Sequence, residues 1–459
     1  MELEKFFNPK TVAVIGASRN PEKVGHVLLK NLVESGEKMK RNIIPINPNA
    51  KEILEKKAYP KITDVKERID LAIIAIPAKF VPQAVEQCKE KGVKNLIIVS
   101  SGFSETGDKE TEKRLKDYLD TNKMMAIGVN CLGIFDAHTS MDALFIPKTK
   151  MRRPAAGGIS FVCQSGAIGL AIIDIAASED YRFAKFISYG NATQLDESDY
   201  LEYLAKDKDT KVICMYIEGV KDGEKFYKTA KRIADKKPII IVKGGLTKEG
   251  DQATLSHTGT LAGKKETYFG IFNQANLIRA DNLEEMFNIA SILENPIEVK
   301  GSRVQIVTNG GGYGIISTDK VSESKELQLT TLSDVANNAL RKVMPSYVNI
   351  RNPLDISGDA TSKRYATALK HVSKDKNVDI ILLIALYQTP LLSDDVVSII
   401  EKAKASTKKP IMVVSTGSEF TENLSSQLRK HKVPVFSFPH LAIDALDKIV
   451  GYKRRLEMR

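Results

Sequence analysis

Short apolar runs rich in valine, isoleucine and leucine recur along this chain, and between them apolar positions return every three or four residues. The first set is "TVAVIG" (11–16), "NIIPIN" (42–47), "DLAIIAIP" (70–77), "NLIIVSSG" (95–102) and "MMAIG" (124–128). Runs without alternation, bounded by Gly, Pro, Asn and Asp, predict strands buried on both faces. The stretches between them predict crossover helices, so the pattern predicts an α/β fold with parallel sheets. The set ends near "KTKMRRPAAGG" (148–158), whose basic, Pro- and Gly-containing composition marks a boundary.

The rest of the chain reads as one unit written twice. A second set opens with "GISFVCQSGAIGLAIIDIAAS" (158–178) and a third with "SRVQIVTNGGGYGIISTDKVSE" (302–323). "KVICMYIEG" (211–219) pairs with "VDIILLIALY" (378–387), "KKPIIIVKGG" (236–245) with "KKPIMVVSTG" (408–417), and "NLIRADNLEEMF" (276–287) with "PVFSFPHLAIDAL" (434–446). This predicts a duplicated flavodoxin-like domain behind a Rossmann-like one, with domains at 1–150, 151–297 and 298–459. The copies differ in one place. Pro238 to Leu277 spans 39 residues and Pro410 to Val435 spans 25, so the first copy carries an insertion, and "GDQATLSHTGTLAG" (250–263) lies in it. A loop added to one of two equivalent domains points to function.

Composition narrows the class without naming it. The 459 residues suffice for three domains, and the apolar and charged fractions are globular. No apolar run is long enough to span a bilayer, and "MELEKFFNPK" lacks the charged and apolar regions of a secretory signal. The four cysteines are scattered with no CxxC pair, which argues for a reducing compartment and against structural zinc. A cytoplasmic chain is expected, with no metal site and no membrane partner. The net charge of +11 is spread over predicted helix faces and tryptophan is absent. That pattern disfavours nucleic acid and suits polyanionic small molecules.

In the first domain, "VIGASRNPEKVG" follows the first strand. Gly16 permits a tight strand-to-helix turn, and the helix start behind it attracts phosphate. The motif is not GxGxxG, and the second strand ends "IPINPN", with no acid to hold the ribose of NAD. Arg19 and Lys23 suit a ligand with more phosphate charge, so coenzyme A fits better than NAD; a purely structural turn is the plain alternative. "CQSGAIG" (163–169) and "NGGGYG" (309–314) occupy the same turn in the two copies, each opening a helix with free backbone N–H groups. Two such turns could hold one phosphate between them. Glu218, in "YIEGV", stands at the C-terminal end of a strand, where open α/β sheets place their sites, and the other copy has no acid there. His257, in "SHTGTLAG", would be a nucleophile on a mobile arm with Glu218 orienting its ring; a solvated loop is the alternative. His26, His138, His371, His431 and His440 have no partner spaced for metal binding or catalysis.

In this order, "GAS…KVG", "NCLG", "QSGA", "IEG", "SHTG.LAG", "NGGG.G" and "NPLDISGDA" resemble the α subunit of NDP-forming acyl-CoA synthetases, the ADP-forming acetyl-CoA synthetases of the succinyl-CoA synthetase superfamily. The resemblance covers essentially the whole chain. It implies that the first domain binds coenzyme A and that His257 is phosphorylated with Glu218 as its orienting acid. It implies coenzyme A contacts from Gly16, Ser18, Lys23, Gly25 and Asn47. It implies further ones from Ile76, Pro77, Ser101, Gly102, Asn130 and Cys131. Gln164, Ser165, Gly166 and Ala167, with Gly311 and Gly312, would seat phosphate. Tyr313 stands where proline is expected and Thr260 where alanine is commoner; the first bears on the second helix start.

The implied reaction is acyl-CoA + ADP + phosphate to and from carboxylic acid + CoA + ATP, through an acyl phosphate and a phosphohistidine. No ATP-grasp segment follows "YKRRLEMR". The resemblance therefore implies an ATP-grasp β subunit or fused C-terminal domain that holds ADP or ATP with Mg2+, in an α2β2 assembly. Two rivals are a non-catalytic coenzyme A-binding scaffold, which has no use for both Glu218 and the insertion, and a dehydrogenase, which the missing ribose acid disfavours. The acid itself could be acetate or a branched, aryl or hydroxy acid.

Overall fold

A computed structural model describes residues 3–250, 252, 264–295 and 298–458. The chain forms two compact units, Met1–Arg279 and Ala280–Arg459. The first unit contains two extended sheets. In the N-terminal sheet five parallel strands run in the order Asn42–Ile46, Thr11–Ile15, Leu71–Ile74, Asn95–Ile98, Met125–Gly128. Both faces of these strands are covered, which is why they read as continuous apolar runs. Val12, Val14, Leu71 and Ile73 pack with Leu28, Leu29 and Leu32 of helix Val24–Gly36. Ala13, Ile15, Ala72 and Ile74 pack on the other side with Val81 and Val85 of helix Val81–Glu90 and with Leu115 and Leu119 of helix Lys109–Thr121. This is a doubly wound sheet.

The second sheet has seven strands. Five are parallel, in the order Ile278–Arg279, Ile239–Lys243, Val212–Ile217, Ala156–Cys163, Phe183–Ser188. Gly133–Asp136 and then Met141–Asp142 add to its far edge, antiparallel. The change of sheet thus falls after Gly128, ahead of the boundary expected at 150. The added edge is held by charge as well as backbone: the buried Lys185 ammonium lies 3.2 Å from Asp136 and 2.9 Å from Asp207.

The second unit repeats the strand order of the five parallel strands. Leu354–Asp355, Arg303–Thr308, Ile380–Ile384, Ile411–Val414 and Val435–Phe436 are parallel neighbours, with Asn349–Ile350 antiparallel at one edge and Gln328–Leu329 beside Arg303–Val304. Both copies therefore have the 2-1-3-4-5 order that the duplication predicts. Helix Leu283–Leu293 follows the last strand of the first copy but packs against helix Pro439–Glu457. Lys448 on that helix reaches Asp281 at 3.2 Å and Glu285 at 3.8 Å. The second compact unit accordingly begins at Ala280, so this helix, which the duplication assigns to the first copy, packs with the second. No helix among the described residues is long and apolar enough to cross a membrane.

Candidate functional site

At the C-terminal ends of the first unit's strands lies a cleft of about 1120 Å3. Its first wall is the turn after Thr11–Ile15. Gly16 has φ +92°, and a Cβ there would lie 2.3 Å from the Ala75 carbonyl oxygen. A Cβ on Gly25 would lie 1.9 Å from the Gly16 carbonyl oxygen, so the first turn of helix Val24–Gly36 is pressed onto this loop. Both glycines are required by close approach. The loop is pinned further: His26 Nδ1 lies 2.8 Å from the Ser18 carbonyl oxygen, and the Asn47 amide donates to the Ala17 carbonyl at 2.6 Å. His26 thus has a structural role. Asn47 braces the Gly16 turn from the position where a dinucleotide fold carries its ribose acid.

Ile76, Pro77 and Ser101 continue this wall. Ser100 fixes it by donating its hydroxyl to the Ile76 carbonyl at 2.6 Å. Gly102 turns the chain just beyond, with φ +108°, and its N–H is held by Glu105. Asn130 and Cys131 form the floor. Burial pushes the Cys131 thiol up to about 12, so it is a neutral wall group and no nucleophile.

The opposite wall is the turn from strand Ala156–Cys163 into helix Gly166–Ser178. Ser165 is the N-cap, its hydroxyl accepting from Ile168 N–H at 3.4 Å. Gly166 and Ala167 follow at the cleft surface. A Cβ on Gly166 would meet nothing nearer than Leu132 at 3.9 Å, so packing leaves room there. The first-turn N–H groups of this 13-residue helix carry the partial positive charge that favours an anion. Gln164, expected as a phosphate ligand, engages the protein: its Oε1 accepts from the N–H groups of Glu218 (2.7 Å) and Gly219 (3.2 Å). That staple holds the Glu218 carboxylate at the cleft, where Tyr216 Oη donates to it at 3.3 Å. Lys243 closes the same corner by donating to the Glu218 carbonyl at 2.9 Å.

One cavity therefore unites the residues expected for coenzyme A, apart from Gly102, with Ser165, Gly166, Ala167 and Glu218. Gly311 and Gly312 lie in the second unit, at the equivalent first turn of helix Gly311–Glu323. Gly312 is open, and Gly310 is set by paired bonds with Thr308. His257 and the rest of "SHTGTLAG" lie outside the described residues.

Several cleft residues were not singled out from the sequence. Lys109, Lys113 and Lys116 share a face of helix Lys109–Thr121 and line the cleft with Lys23 and Lys221. Five lysines against Glu112, Glu197 and Glu218 give the lining a positive surplus, which favours polyanionic ligands. The lysine spacing was visible in the sequence, but which helix face meets a cleft depends on strand order. Glu197 gave no signal, because "QLDESDY" reads as an ordinary helix start.

Known families match all three parts of the chain. Residues 10–137 match a CoA binding domain, 156–293 a succinyl-CoA ligase like flavodoxin domain, and 304–454 a ligase-CoA domain. The α subunit of ADP-forming acetate–CoA ligase II from Pyrococcus furiosus is 37% identical over 95% of each chain. The ADP-forming acetate–CoA ligase of Methanocaldococcus jannaschii is 37% identical over 98% of this chain, which spans 63% of that longer relative. Among solved structures, an acetyl-coenzyme A synthetase of Ca. Korarchaeum cryptofilum in complex with phosphate and ADP superposes with a TM-score of 0.92. It is 33% identical, over 99% of this chain and 98% of that one.

Proposed function

This chain belongs to the family of ADP-forming acyl-CoA synthetases as an α-type chain, and we propose that it carries the coenzyme A and phosphate half of their reaction. With an ATP-grasp partner it acts as an acid–thiol ligase that interconverts acyl-CoA + ADP + phosphate with carboxylic acid + CoA + ATP. The observation that carries the reading is the single cleft in which the Gly16 turn, the Cys131 floor, the Ser165–Ala167 helix start and Glu218 meet.

Each part has a task. The Gly16–Gly25 turn with Lys23 receives the pyrophosphate, and the wall at Ile76, Pro77 and Ser101 guides the pantetheine arm toward Asn130 and Cys131. Phosphate, seated on the helix start at Gly166 and Ala167, attacks the thioester carbonyl, the C–S bond breaks, and CoA leaves behind an acyl phosphate. His257 takes the phosphoryl group, and Glu218 holds the ring nitrogen that does not react. Gly311 and Gly312, at the equivalent helix start of the second unit, are carried as phosphate residues by the family resemblance alone. An ATP-grasp partner, separate or fused, then passes the group to ADP and holds its Mg2+. The family's α and β chains would form an α2β2 assembly in the cytoplasm. The four cysteines are unpaired and buried, which agrees with a reducing compartment.

The test is labelling. The chain is incubated with radioactive phosphate plus a panel of acyl-CoAs, and separately with γ-labelled ATP, each with and without an ATP-grasp partner. Label from phosphate should be acid-labile, base-stable and absent in His257→Ala. Label from ATP should need the partner. Label from ATP without it would mean that the nucleotide site has been misplaced.

A further inference from the structure

Glu197 stands at the first position of helix Glu197–Lys206, between two acids that are fully engaged. Asp196 caps the helix, accepting from Ser198 and Asp199 N–H groups, and Asp199 reaches back to Asp196 N–H. Lys225 pairs with both, at 2.9 and 3.0 Å. Glu197 takes no part in that network. It is 2% exposed, lines the cleft, and its Oε1 is sealed without a hydrogen-bond partner among the described residues. The hydroxyls of Tyr189 and Tyr200 behind it are also unpartnered there. Lys221, the cation that acts most strongly on Glu197, donates to the Ala192 carbonyl at 2.7 Å and makes no ion pair with Glu197 among the described residues. The fold does not call for an acid at this place. The equivalent helix of the second copy starts at Ser362, whose hydroxyl bonds to Ser393.

The surroundings place Glu197 where the two walls of the cleft meet. Its segment is stitched to the coenzyme A floor: Asn191 N–H donates to Val129, Thr193 N–H to Gly128, and the Asn130 amide to Asn191. Tyr189 N–H donates to Cys163, at the edge of the phosphate turn. A thioester that presents its sulfur near Cys131 and its carbonyl to a phosphate at Gly166 must pass this corner. We propose that Glu197 is the proton donor and acceptor for the coenzyme A sulfur. The proposal rests on the reading given above.

In the cleavage direction a phosphate oxygen of HPO4 2− bonds the thioester carbon and the C–S bond breaks, its electron pair staying on sulfur. The Glu197 carboxyl gives its proton to that sulfur, leaving CoASH and a carboxylate. The proton left on the acyl phosphate returns to Glu197, so the net reaction is acyl-CoA + HPO4 2− to acyl phosphate dianion + CoASH. In the reverse direction the carboxylate takes the thiol proton, because the thiolate is the nucleophile. A group that works both ways needs a pKa near the operating pH. Burial raises the Glu197 carboxyl to about 7. Its own backbone N–H opposes this most, Asp196 adds to it, and Lys221 and Lys225 oppose it further. The phenols of Tyr189 and Tyr200 border it, with Cys163 and Glu218 beyond the first and Cys131 and Asp199 beyond the second. Glu112 faces Lys221 from helix Lys109–Thr121.

The experiment compares the parent, Glu197→Gln and Glu197→Asp, each with the ATP-grasp partner. One readout is phosphate-dependent cleavage of the best acyl-CoA of the panel at saturating phosphate; the other is phosphorylation of the chain from ATP, which involves no thiol. Glu197→Gln should slow cleavage by about 100-fold or more and leave phosphorylation from ATP and thermal stability unchanged. The ratio of parent to Glu197→Gln cleavage rates cancels the titrations of phosphate and histidine. It should fall as pH rises through about 7, and rise with pH in the thioester-forming direction. Glu197→Asp should keep both slopes. A ratio independent of pH, or equal losses in both readouts, overturns the proposal. A parent chain that is phosphorylated from ATP but cleaves no acyl-CoA also overturns it, while leaving the phosphohistidine reading intact. A parent inactive in both readouts removes the function itself.

Discussion

Gly166 and Gly169 sit one helical turn apart, and the structure assigns them opposite costs. At Gly169 an added Cβ would lie 2.6 Å from the Phe186 ring, inside a packed core. Gly169→Ala is an overpacking change of about 1–3 kcal/mol, which in a unit of this size lowers Tm by roughly 2–12 °C. At Gly166 the same Cβ finds open space, 3.9 Å from Leu132. Gly166→Val should therefore leave Tm within about 2 °C of the parent, since helix propensity changes by only a few tenths of a kcal/mol. Its methyl groups would instead occupy the space over the helix start. Losing one N–H contact to a charged ligand costs about 1.5–3 kcal/mol, so the phosphate KM should rise about 10- to 150-fold. The assay is acyl-CoA cleavage against phosphate concentration, beside a thermal melt of both variants. An unchanged phosphate KM in Gly166→Val would remove the helix start from the phosphate site. A melt as depressed as that of Gly169→Ala would mean that the effect is structural.

His257→Ala should abolish turnover and leave coenzyme A binding within twofold or so, read by titration calorimetry, because His257 belongs to an insertion in the first flavodoxin-like copy and not to the first domain; Glu218→Gln should retain measurable turnover, since an amide can still hold the ring. Gly16→Ala forces a Cβ onto the Ala75 carbonyl at positive φ, a cost of about 1–3 kcal/mol in strain before the clash is counted, and should weaken coenzyme A binding and lower Tm together. Lys185→Met strands buried Asp136 and should destabilise the first unit by about 3–5 kcal/mol in a denaturant titration. Burial lowers the Lys185 ammonium's proton affinity, but Asp136 and Asp207 outweigh it and hold the group above the usual lysine range. A raised pKa gives stability that is complete below the unfolded value and is lost as pH climbs through the folded one. The parent's contribution should therefore persist at neutral pH and fail only above about 10.4. Gln164→Ala and Asn309→Ala should each lower Tm, by the roughly 1–3 kcal/mol of unsatisfied buried amides, and by similar amounts.

The strands were legible because both faces of each sheet are covered, so position along the chain alone exposes them. What could not be read was pairing decided far away. Gly133–Asp136 joins the second sheet because Phe183–Ser188 offers an edge there and Lys185 a charge for Asp136; nothing within the segment itself says so. Helix Leu283–Leu293 joins the second unit because its partner lies near the C-terminus. The same division runs through the site. Gly16 and Gly25 were legible since one turn and the helix start behind it make the demand. Glu197 was hidden because "DESD" satisfies a helix start by itself, and the burial that makes Glu197 unusual comes from the body of the fold.

The duplication offers a control that a single domain lacks, since what both copies share serves the fold. Gln164 and Asn309 occupy the same position after the first strand of each copy. The first accepts from Glu218 and Gly219 N–H groups; the second accepts from Leu386 N–H and donates to the Leu386 carbonyl. In both, an amide staples the end of the third strand to the first turn, so the Gln164 side-chain oxygen serves the frame. The helix-opening glycines, Gly166 and Gly311, are shared as well, which fits an anion seat built from the fold's own backbone. Three features are confined to the first copy: the carboxylate of Glu218 on the stapled strand end, the carboxyl of Glu197 where the other copy has Ser362, and the insertion that carries His257. A frame that stands without them in one copy has no structural reason to hold two acids at the cleft in the other. The roles proposed for them, an acid that orients and an acid that exchanges a proton, are what the phosphoryl and thioester steps would separately require.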